Sequence, residues 1–523
     1  MTRRPEQPRA PAGAEIIAHN LQATAPALFR QQRIFRIIGS MPLPALADLT
    51  AKRRGFPRQR HPLLPFGIAI AAALPGTVLR LAGVPLDPAL AAATSGAAIV
   101  GASFLLLWAC DAAQADVSQA LALAVVAVLT VLPEYAVDMY FTWQAGQHEG
   151  TAYAQYAVAN MTGANRLLIG VAWGLVAALY WWRFRRAVRI GHERCTELLF
   201  LGLATAYAFV IPIKGTLAWY DGLVFLGIYV WYIVLASRRP CVESEAVGPA
   251  EMLIRLPRRQ RRAATAVLFL VAGAVILANA KPFCEGLIGT GRLLRINEFV
   301  LVQWLAPIAS EAPEFIVALM FAWRGQAAMA LGTLLSAKIN QWTLLVGMIP
   351  GVYALSHGTL EHPIPMNGLQ MQEILLTAAQ SLLAVMLLAS LRLSVSGGVL
   401  LFALFVGQLT LPGVVAAHPA AAFGLRPEHI HAIFSAFYIM AAVTLLLENP
   451  GKLRTLSRGL SLENDELPTL EPAGLASEDT EADLACGIPA SAMEPRTPQC
   501  LECRWRRFGL RALRSKLQAA RAR

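Results

Sequence analysis

Charged side chains are scarce in this 523-residue chain: Asp, Glu, Lys and Arg make up 15% of it, against roughly 25% in soluble globular proteins. Hydrophobic residues make up 56%. This composition excludes most soluble classes and is typical of a membrane protein. The net charge of +12 taken alone suggests nucleic acid as a partner, but a mean hydropathy of +0.50 argues against nucleic-acid binding.

Cysteine is also scarce. The seven cysteines form no dense pattern, and three of them, Cys486, Cys500 and Cys503, lie near the C-terminal end. This excludes a small secreted domain held together by disulfides. The same three cysteines fall one short of a four-ligand zinc site. The first residues lack an apolar stretch after their arginines, so we expect no cleavable signal peptide.

Catalytic motifs are missing as well. The sequence has no His-Glu-x-x-His, no Gly-x-Ser-x-Gly, no P-loop and no paired intramembrane aspartates. Its nine histidines are scattered. We therefore expect a protein that is not an enzyme and has no bound cofactor.

Long apolar runs are what the sequence has in abundance. A helix needs about 20 apolar residues to cross a hydrocarbon core about 30 Å thick, and about twelve such runs occur. Open sheets cannot satisfy their backbone in lipid, so each run is interpreted as a helix. The predicted spans are 66–84, 91–110, 117–141, 155–181, 196–213, 222–236, 263–282, 298–322, 326–349, 373–391, 396–415 and 430–447.

Basic residues cluster in four segments between or beside these spans. With twelve spans, all four segments fall on one side of the membrane, which the positive-inside rule makes cytoplasmic. We therefore expect an integral inner-membrane protein, surrounded by lipid, with both termini in the cytoplasm. The clusters are Lys52, Arg53, Arg54, Arg58 and Arg60; Arg183, Arg185, Arg186, Arg189 and Arg194; Arg238, Arg239, Arg255, Arg258, Arg259, Arg261 and Arg262; and Lys452, Arg454 and Arg458.

The third and eighth spans repeat one another. Residues 131–146 read VLPEYAVDMYFTWQAG and residues 311–326 read EAPEFIVALMFAWRGQ. A second match follows each, NMTGANRLLIG at 160–170 and SAKINQWTLLVG at 336–347. The identities, each offset by 180 positions, are Pro133, Glu134, Val137, Phe141 and Trp143 with Pro313, Glu314, Val317, Phe321 and Trp323.

Each copy has the same place within a unit of five spans. Because five is odd, the second unit must enter the membrane from the opposite side, so the two copies form an inverted repeat. The predicted fold is an all-α polytopic membrane protein with about 12 transmembrane helices and a core of two inverted five-helix repeats. The predicted segments are a cytoplasmic N-terminal segment (1–60), an extra first transmembrane helix (61–90), the first repeat (91–236), a basic cytoplasmic loop (237–262), the second repeat (263–415), an extra last transmembrane helix (416–449) and a largely disordered cytoplasmic tail (450–523).

The repeated motif resembles the alpha repeats of the calcium/cation antiporter superfamily, which includes sodium/calcium and proton/calcium exchangers. That family's first repeat reads approximately T-S-L-P-E and then G-N-x-x-G-S-N. The resemblance implies ten core helices, two glutamates as central cation ligands, and exchange of one cation against sodium or protons. The matching positions here are Thr130, Val131, Leu132, Pro133 and Glu134, then Asn160, Gly163, Ala164 and Asn165.

The residue types suit that role. A carboxylate in the middle of a membrane helix is costly and usually functional, and Glu134 and Glu314 are both in mid-span. The proline before each glutamate lacks an N–H and releases the carbonyls of Leu129 and Ala309 from their usual bonds. An all-oxygen environment suits hard cations such as Ca²⁺ or Na⁺, which we expect as the transported ions.

Amide and hydroxyl oxygens complete the predicted site. Asn160 and Asn165 follow Glu134 on the next span, and Thr130 and Ser310 precede the two glutamates by four residues. The alternative for these residues is hydrogen bonding between helices. In the second repeat the alignment is ambiguous, and the candidates are Ser336, Asn340 and Gln341.

Three charged residues depart from the family pattern. Glu311 lies one turn before Glu314 and Asp138 one turn after Glu134, so each pair shares a helix face. Two neighbouring carboxylates can hold a proton when no cation is bound, although a solvated vestibule is an equal alternative for Asp138. Lys338, in mid-span, is either a tethered cation or a lysine that snorkels or closes the helix bundle.

The sequence therefore predicts a secondary active cation antiporter that exchanges Ca²⁺ or Na⁺ for H⁺ or Na⁺ by alternating access. The missing hydroxyls at Val131 and Ala164, together with Glu311 and Lys338, favour protons slightly. The alternatives are a Na⁺/H⁺ exchanger without calcium transport and a non-transporting membrane sensor or scaffold. Duplicated acids in mid-membrane argue against a scaffold, which has no need of ionisable groups in lipid.

Overall fold

The computed structural model describes residues 63–117, 127–238, 249–418 and 426–460. The predicted segment 1–60, most of the predicted tail and the cysteines at 486, 500 and 503 lie outside these residues. The helices are α1 (Leu64–Leu81), α2 (Pro88–Gln114), α3 (Ala127–Thr130), α4 (Leu132–Gln147), α5 (Tyr153–Leu167), α6 (Gly174–Phe184), α7 (Cys195–Ala208), α8 (Val210–Lys214), α9 (Trp219–Ala236), α10 (Pro249–Arg255), α11 (Arg258–Leu294), α12 (Glu298–Trp323), α13 (Ala327–Asn340), α14 (Val346–His357), α15 (Gly368–Leu388), α16 (Val395–Ala417), α17 (Pro427–Glu448) and α18 (Gly451–Ser457).

Ten helical stretches in the described residues are long and apolar enough to cross a membrane. They correspond to ten of the predicted spans, so the all-α polytopic fold is confirmed. The other two predicted spans fall on α3 and α4, where residues 118–126 are not described, and on α13 and α14. These two segments carry Glu134 and Lys338, and the total of twelve spans stays a prediction.

The two prolines that precede the repeated glutamates have different effects. In the first repeat the chain is interrupted at Val131, and Pro133 lies in the first turn of α4, where its missing N–H breaks no bond. In the second repeat α12 continues through Pro307 and Pro313. The first repeat thus has a break beside its glutamate, and the second has an unbroken helix.

Both repeats contain a segment of wider, π-type turns directly after the helix that follows the glutamate. These segments are Leu168–Trp173 after α5 and Gln341–Leu345 after α13. Turns of this kind are rare and occur often at functional sites. The repetition therefore extends beyond the sequence identities to the backbone.

The helices that carry the repeated motifs pack against helices of the other repeat. Helix α5 of the first repeat packs against α12 of the second, and α4 of the first packs against α14 of the second. The first helices of the repeats, α2 and α11, pack along their length, and α1 covers α2. Outside the repeats, α17 packs against α15 and α16. The glutamates of the two repeats consequently face each other inside the helix bundle.

Gly163 permits the closest of these crossings. A Cβ atom at this position would lie 1.9 Å from the backbone oxygen of Gln303 on α12. Only glycine leaves room for α5 and α12 to approach so closely, as small residues do at membrane-helix interfaces. This contact brings the first repeat's polar helix against the second repeat's glutamate helix.

Two short strands, β1 (Val188–Arg189) and β2 (Arg392–Leu393), form an antiparallel pair. They follow the fourth and tenth predicted spans. Leu217 and Ile364 form a single antiparallel β-bridge between the loops after the fifth and ninth spans. The predicted order of the spans places these two loops on the side of the membrane opposite to β1 and β2. These short pairings join segments that the predicted topology places on the same side of the membrane.

Candidate cation site

Three glutamates, Glu134, Glu311 and Glu314, line one small cavity where α4 meets α12. The cavity has a volume of about 10 Å³, which is room for one water-sized sphere. Glu134 is 2% exposed and Glu311 is 3% exposed, so these two side chains lie inside the protein, whereas Glu314 is half-buried. The other lining residues are Thr130, Val131, Leu168, Ser310, Ala337 and Gln341.

The cavity is built from the same positions of both repeats. Residues 130, 131 and 134 of the first repeat line it, and so do residues 310, 311 and 314, each 180 positions later. A pseudo-twofold relation of the repeats therefore passes through this point. Transporters built from inverted repeats place their substrate sites at such repeat interfaces.

Four buried carboxylate oxygens at this place make no hydrogen bond of normal geometry with the described residues, although the Gln341 side chain lies near enough to act on Glu134. They are both oxygens of Glu134 and the Oε2 atoms of Glu311 and Glu314. A buried polar oxygen without a donor is costly, so natural proteins seldom leave one. A proton or a hard cation is the kind of species that satisfies such oxygens.

Within the described ranges, no group of three or more His, Cys, Asp or Glu side chains is arranged so that it could hold a metal ion. Hydroxyl and amide groups also line the cavity beside the carboxylates. Ser310 donates its hydroxyl hydrogen to the backbone oxygen of Ala306 at 3.2 Å, which leaves its oxygen able to accept or coordinate. Thr130 lines the cavity from the equivalent position.

Gln341 is the amide that reaches the cavity from the second repeat. Its Nε2 donates to Glu311 Oε1 at 3.0 Å. The other two candidates lie elsewhere: Asn340 is buried, and Ser336 is a hydrogen-bonding partner of the Tyr232 hydroxyl. Of the three residues that the ambiguous alignment offered, the structure brings Gln341 to the glutamates.

Asp138 and Asn160 form a pair next to the site. Asn160 Nδ2 donates to Asp138 Oδ1 at 2.7 Å, and both side chains are 0% exposed. Asp138 thus lies in the protein interior rather than in a solvated vestibule. Neither residue lines the cavity described above, but Asp138 Oδ2 and Asn160 Oδ1 have no partner in the described part of the chain.

Asn165 contacts a lysine of the opposite repeat. Lys338 Nζ donates to Asn165 Oδ1 at 2.7 Å and to the Asn165 backbone oxygen at 3.2 Å. Asn165 Nδ2 donates to the Met161 backbone oxygen at 2.8 Å. The amide predicted as a cation ligand therefore has an ammonium group as its neighbour.

Sequence reasoning missed one buried charge cluster beside the site. Arg166, the residue after Asn165, forms an ion pair with Glu373 of α15, and both side chains are 1% exposed. Its guanidinium group also lies over the Trp304 ring of α12, 5.1 Å from the centroid. His431 Nδ1 of α17 lies 3.6 Å from Glu373 Oε1. An arginine inside an apolar span indicates a buried partner or a functional site, so Arg166 was the signal in the sequence for this cluster.

Comparison with known proteins identifies a family whose profile matches both repeats. The sequence profile described as "Sodium/calcium exchanger protein" matches residues 88–238 and 264–413, which is more than half of the chain and one match for each repeat. The first match contains Glu134 and the second contains Glu311 and Glu314.

Solved structures give further similarities. The chain is similar to the H⁺/Ca²⁺ exchanger CAX, with 40% identity, a TM-score of 0.70, and coverage of 77% of this chain and 100% of that one. It is more distantly similar to native YfkE (15% identity, 72% and 99% coverage, TM-score 0.48). It also matches the sodium-calcium exchanger NCX_Mj (19% identity, 66% and 98% coverage, TM-score 0.41). A search of curated proteins finds no match.

The two profile matches coincide with the two structural repeats, and the cavity lies where the repeats meet. The 40% identity to an exchanger of known structure extends over three quarters of the chain. The chain belongs to the sodium/calcium exchanger protein family and is a cation antiporter.

Proposed function

We propose that this antiporter exchanges Ca²⁺ for H⁺, and that the two ions compete for Glu134, Glu311 and Glu314. The observation that carries the proposal is the cavity in which carboxylates of both repeats present oxygens that make no hydrogen bond of normal geometry with the described residues. The 40% identity to an H⁺/Ca²⁺ exchanger supports the choice of ions.

The chemistry of the cavity explains how such an exchange operates. Ca²⁺ takes carboxylate, carbonyl and hydroxyl oxygens as ligands, and a proton neutralises the same carboxylates when Ca²⁺ has left. Burying several carboxylates without either species is costly. Since one species or the other must be present, the inward passage of one is coupled to the outward passage of the other.

The position of the acids between the repeats suits alternating access. Glu134 comes from α4 of the first repeat, and Glu311 and Glu314 come from α12 of the second. Rocking of one repeat against the other changes the side from which the cavity is reached, while the ligands stay together. The π-type segments beside both site helices are the places where we expect the backbone to adjust.

The residues around the cavity favour H⁺ over Na⁺ as the driving ion. Val131, which lines the cavity, offers no oxygen where the family pattern has a hydroxyl. Glu311 occupies the equivalent position in the second repeat and adds a group that binds protons. The cavity thus has more carboxylates and fewer neutral oxygens than a site for several Na⁺ ions requires.

The proposed topology has twelve spans in the inner membrane with both termini cytoplasmic, divided into segments at the boundaries predicted from the sequence. Contacts at the helix ends support it. Trp182, at the end of the fourth span, stacks on Trp323, at the end of the eighth. Ser356, at the end of the ninth span, donates to the backbone oxygen of Trp143, at the end of the third, at 2.6 Å. Each contact joins ends that this topology puts on one side.

Transport by the purified full-length chain in proteoliposomes tests the proposed exchange. An imposed pH gradient, with choline as the only monovalent cation, is expected to drive Ca²⁺ uptake, measured with radioactive calcium, together with H⁺ movement, measured with a trapped pH dye. Glu134→Gln and Glu314→Gln are each expected to remove at least about 99% of the flux, since losing about 3 kcal/mol of ion stabilisation is a factor of about 100.

Glu251→Gln is the matched control, because Glu251 is exposed and pairs with Arg255 one turn away. It is expected to transport at the wild-type rate. The proposed site is wrong if either cavity variant retains wild-type flux. The proposed ions are wrong if Ca²⁺ moves only when Na⁺ is present, or if a pH gradient moves Na⁺ and not Ca²⁺.

A further inference from the structure

Lys338 is a lysine with no exposure at all, located in the last turn of α13 between the cavity residue Ala337 and the π-type segment that begins at Gln341. An ammonium group is costly in a membrane interior unless oxygen atoms or opposite charges meet it. The groups that surround the ammonium group therefore indicate the role of Lys338.

The ammonium group is held by one residue of the opposite repeat. It donates to the amide oxygen of Asn165 at 2.7 Å and to the backbone oxygen of the same residue at 3.2 Å. Its Nζ also lies over the Trp342 ring, 4.6 Å from the centroid, in a cation–π arrangement. Because Asn165 Nδ2 is bound to the Met161 backbone oxygen, the amide oxygen is fixed toward Lys338.

Backbone carbonyl oxygens coordinate monovalent inorganic cations in channels and transporters, and an amide oxygen is of the same neutral kind. In this protein the ammonium group of Lys338 is bound by oxygens of this kind, those of Asn165. Among the described residues, the hydrogen-bonding partners of Lys338 Nζ are the two oxygens of Asn165, and no carboxylate lies within ion-pairing distance of it. The lysine therefore contributes positive charge to the site without occupying a carboxylate that a moving ion needs.

We propose that Lys338 determines ion specificity by permanently filling, with its ammonium group, a monovalent-cation position at Asn165 beside the carboxylate cavity. The proposal rests on the proposed exchange of Ca²⁺ for H⁺ and deepens it. A tethered charge replaces one inorganic cation in every step of the cycle, so Na⁺ has no position to enter. The proposal requires Lys338 to keep its charge throughout the cycle, so that the protons that move are those of the carboxylates.

Replacing the charge tests this role. In proteoliposomes with an imposed pH gradient, wild-type Ca²⁺ uptake is expected to be the same in Na⁺ and in choline. Lys338→Met is expected to be slow in choline and to be accelerated by Na⁺ by about 5-fold to 100-fold, the usual range for coupling between two binding sites. Lys338→Arg keeps the charge and is expected to stay independent of Na⁺, at a lower rate if the larger head group fits poorly.

Lys281→Met is the matched control, because Lys281 is 55% exposed on α11 and pairs with Glu285 one turn away. It is expected to behave like the wild type in both salts. A second uncharged variant, Lys338→Gln, gives an independent readout in detergent: Na⁺ is expected to raise its melting temperature, and to leave that of the wild type unchanged.

A folded Lys338→Met or Lys338→Gln protein that gains no response to Na⁺, in flux or in melting temperature, overturns the proposal and leaves Lys338 as a residue that closes the helix bundle. If neither variant folds, the wild type decides: Na⁺ that raises its melting temperature or competes with Ca²⁺ shows that the position is not filled. Failure of the Ca²⁺/H⁺ proposal looks different, because the wild type itself then shows no Ca²⁺ flux in choline.

Discussion

The two repeats place their shared glutamates, Glu134 and Glu314, symmetrically but their additional acids asymmetrically. Asp138 lies one turn after Glu134 in the first repeat, where the second repeat has Ala318. Glu311 lies one turn before Glu314 in the second repeat, where the first has Val131. The duplication thus repeats the central glutamates, whereas each additional acid has no acidic counterpart in the other repeat.

Each additional acid is held by an amide of its own repeat. Asn160 donates to Asp138, and Gln341 donates to Glu311. Only Glu311 lines the cavity. In the proposed exchange, the symmetric residues locate the ion, whereas the asymmetric residues set how much charge surrounds it and which repeat supplies that charge.

The largest expected effect concerns Arg166, a charge that only the first repeat has. Aligning the Leu-Leu-x-Gly segments places Thr343 at the equivalent position of the second repeat. Glu373→Gln removes the partner of a fully buried guanidinium group and is expected to destabilise the protein by about 3–5 kcal/mol. Thermal unfolding of the purified full-length protein in detergent measures the loss as a fall in melting temperature.

The control for this pair is the exposed pair Lys281 and Glu285, in which Glu285→Gln is expected to cost under about 1 kcal/mol. The double variant Arg166→Leu/Glu373→Leu removes both charges and is expected to recover part of the lost stability. A double variant less stable than Glu373→Gln alone contradicts the assignment of the loss to an unpaired charge.

The second effect concerns the helix crossing at Gly163, which is close in one repeat only. The equivalent residue under the same alignment is Asn340. Gly163→Ala puts a methyl group 1.9 Å from the Gln303 backbone oxygen, and overpacking of this kind costs about 1–3 kcal/mol or more. Gly227→Ala is the control, since a Cβ there meets nothing within 4 Å. Equal melting temperatures for the two variants show that the crossing is looser than described.

The third effect compares the two asymmetric acids directly. Glu311→Gln removes a carboxylate from the cavity and is expected to weaken the apparent Ca²⁺ affinity in transport about 10-fold or more, at least about 1.4 kcal/mol. Asp138→Asn, outside the cavity lining, is expected to weaken it about 3-fold or less, about 0.7 kcal/mol. Equal losses in the two variants mean that Asp138 also contacts the ion.

The helices of this protein are predictable from the sequence because apolar length alone determines them in lipid. The predicted span 298–322 is helix Glu298–Trp323 in the structure, and Glu314 lies in the middle of that helix as predicted. Glu134 was predicted in mid-span as well, but it lies in the first turn of α4, because the chain is interrupted at Val131. The duplicated Pro-Glu motif was sufficient to place Glu134 and Glu314 at one site, because inverted repeats bring equivalent positions together.

Side-chain partners between helices were not predictable from the sequence. They depend on how the helices are rotated and how closely they approach, and the spacing of residues along the chain does not determine either. Asn160 donates to Asp138, and Asn165 accepts a hydrogen bond from Lys338; neither partner follows from the sequence, and the role of the two amides as cation ligands stays a prediction. The break at Val131 and the unbroken helix at Pro313 differ although the local motif is the same. Packing across the repeat boundary decided each of these features.

The smallest expected effect concerns the contact between the first helices of the two repeats, at the ends that the proposed topology places in the cytoplasm. Asp116, just after α2, accepts two hydrogen bonds from Arg261 of α11, at 2.6 and 2.8 Å. The Arg261 hydrogen bonds, with the charges of Arg261, Arg262 and Arg258, lower the pKa of Asp116 below its ordinary value. Because Arg258 and Arg262 are 68% and 54% exposed, solvent screens their share, and we expect a total contribution of about 1 kcal/mol.

A lowered pKa in the folded protein means that this stability is present above the pKa of the unfolded chain, about 3.9, and disappears as the pH falls through the folded value. Asp116→Asn is therefore expected to melt slightly below the wild type at pH 7, with the gap closing as the pH falls below about 4, and also at high salt. Asp87→Asn at the other end of α2 is the control, because Asp87 caps that helix and asparagine caps about equally well. If the difference in melting temperature between the wild type and Asp116→Asn widens as the pH falls, the ion-pair explanation is contradicted. The hydrogen-bond geometry of Asp116, rather than its charge, would then connect the two repeats.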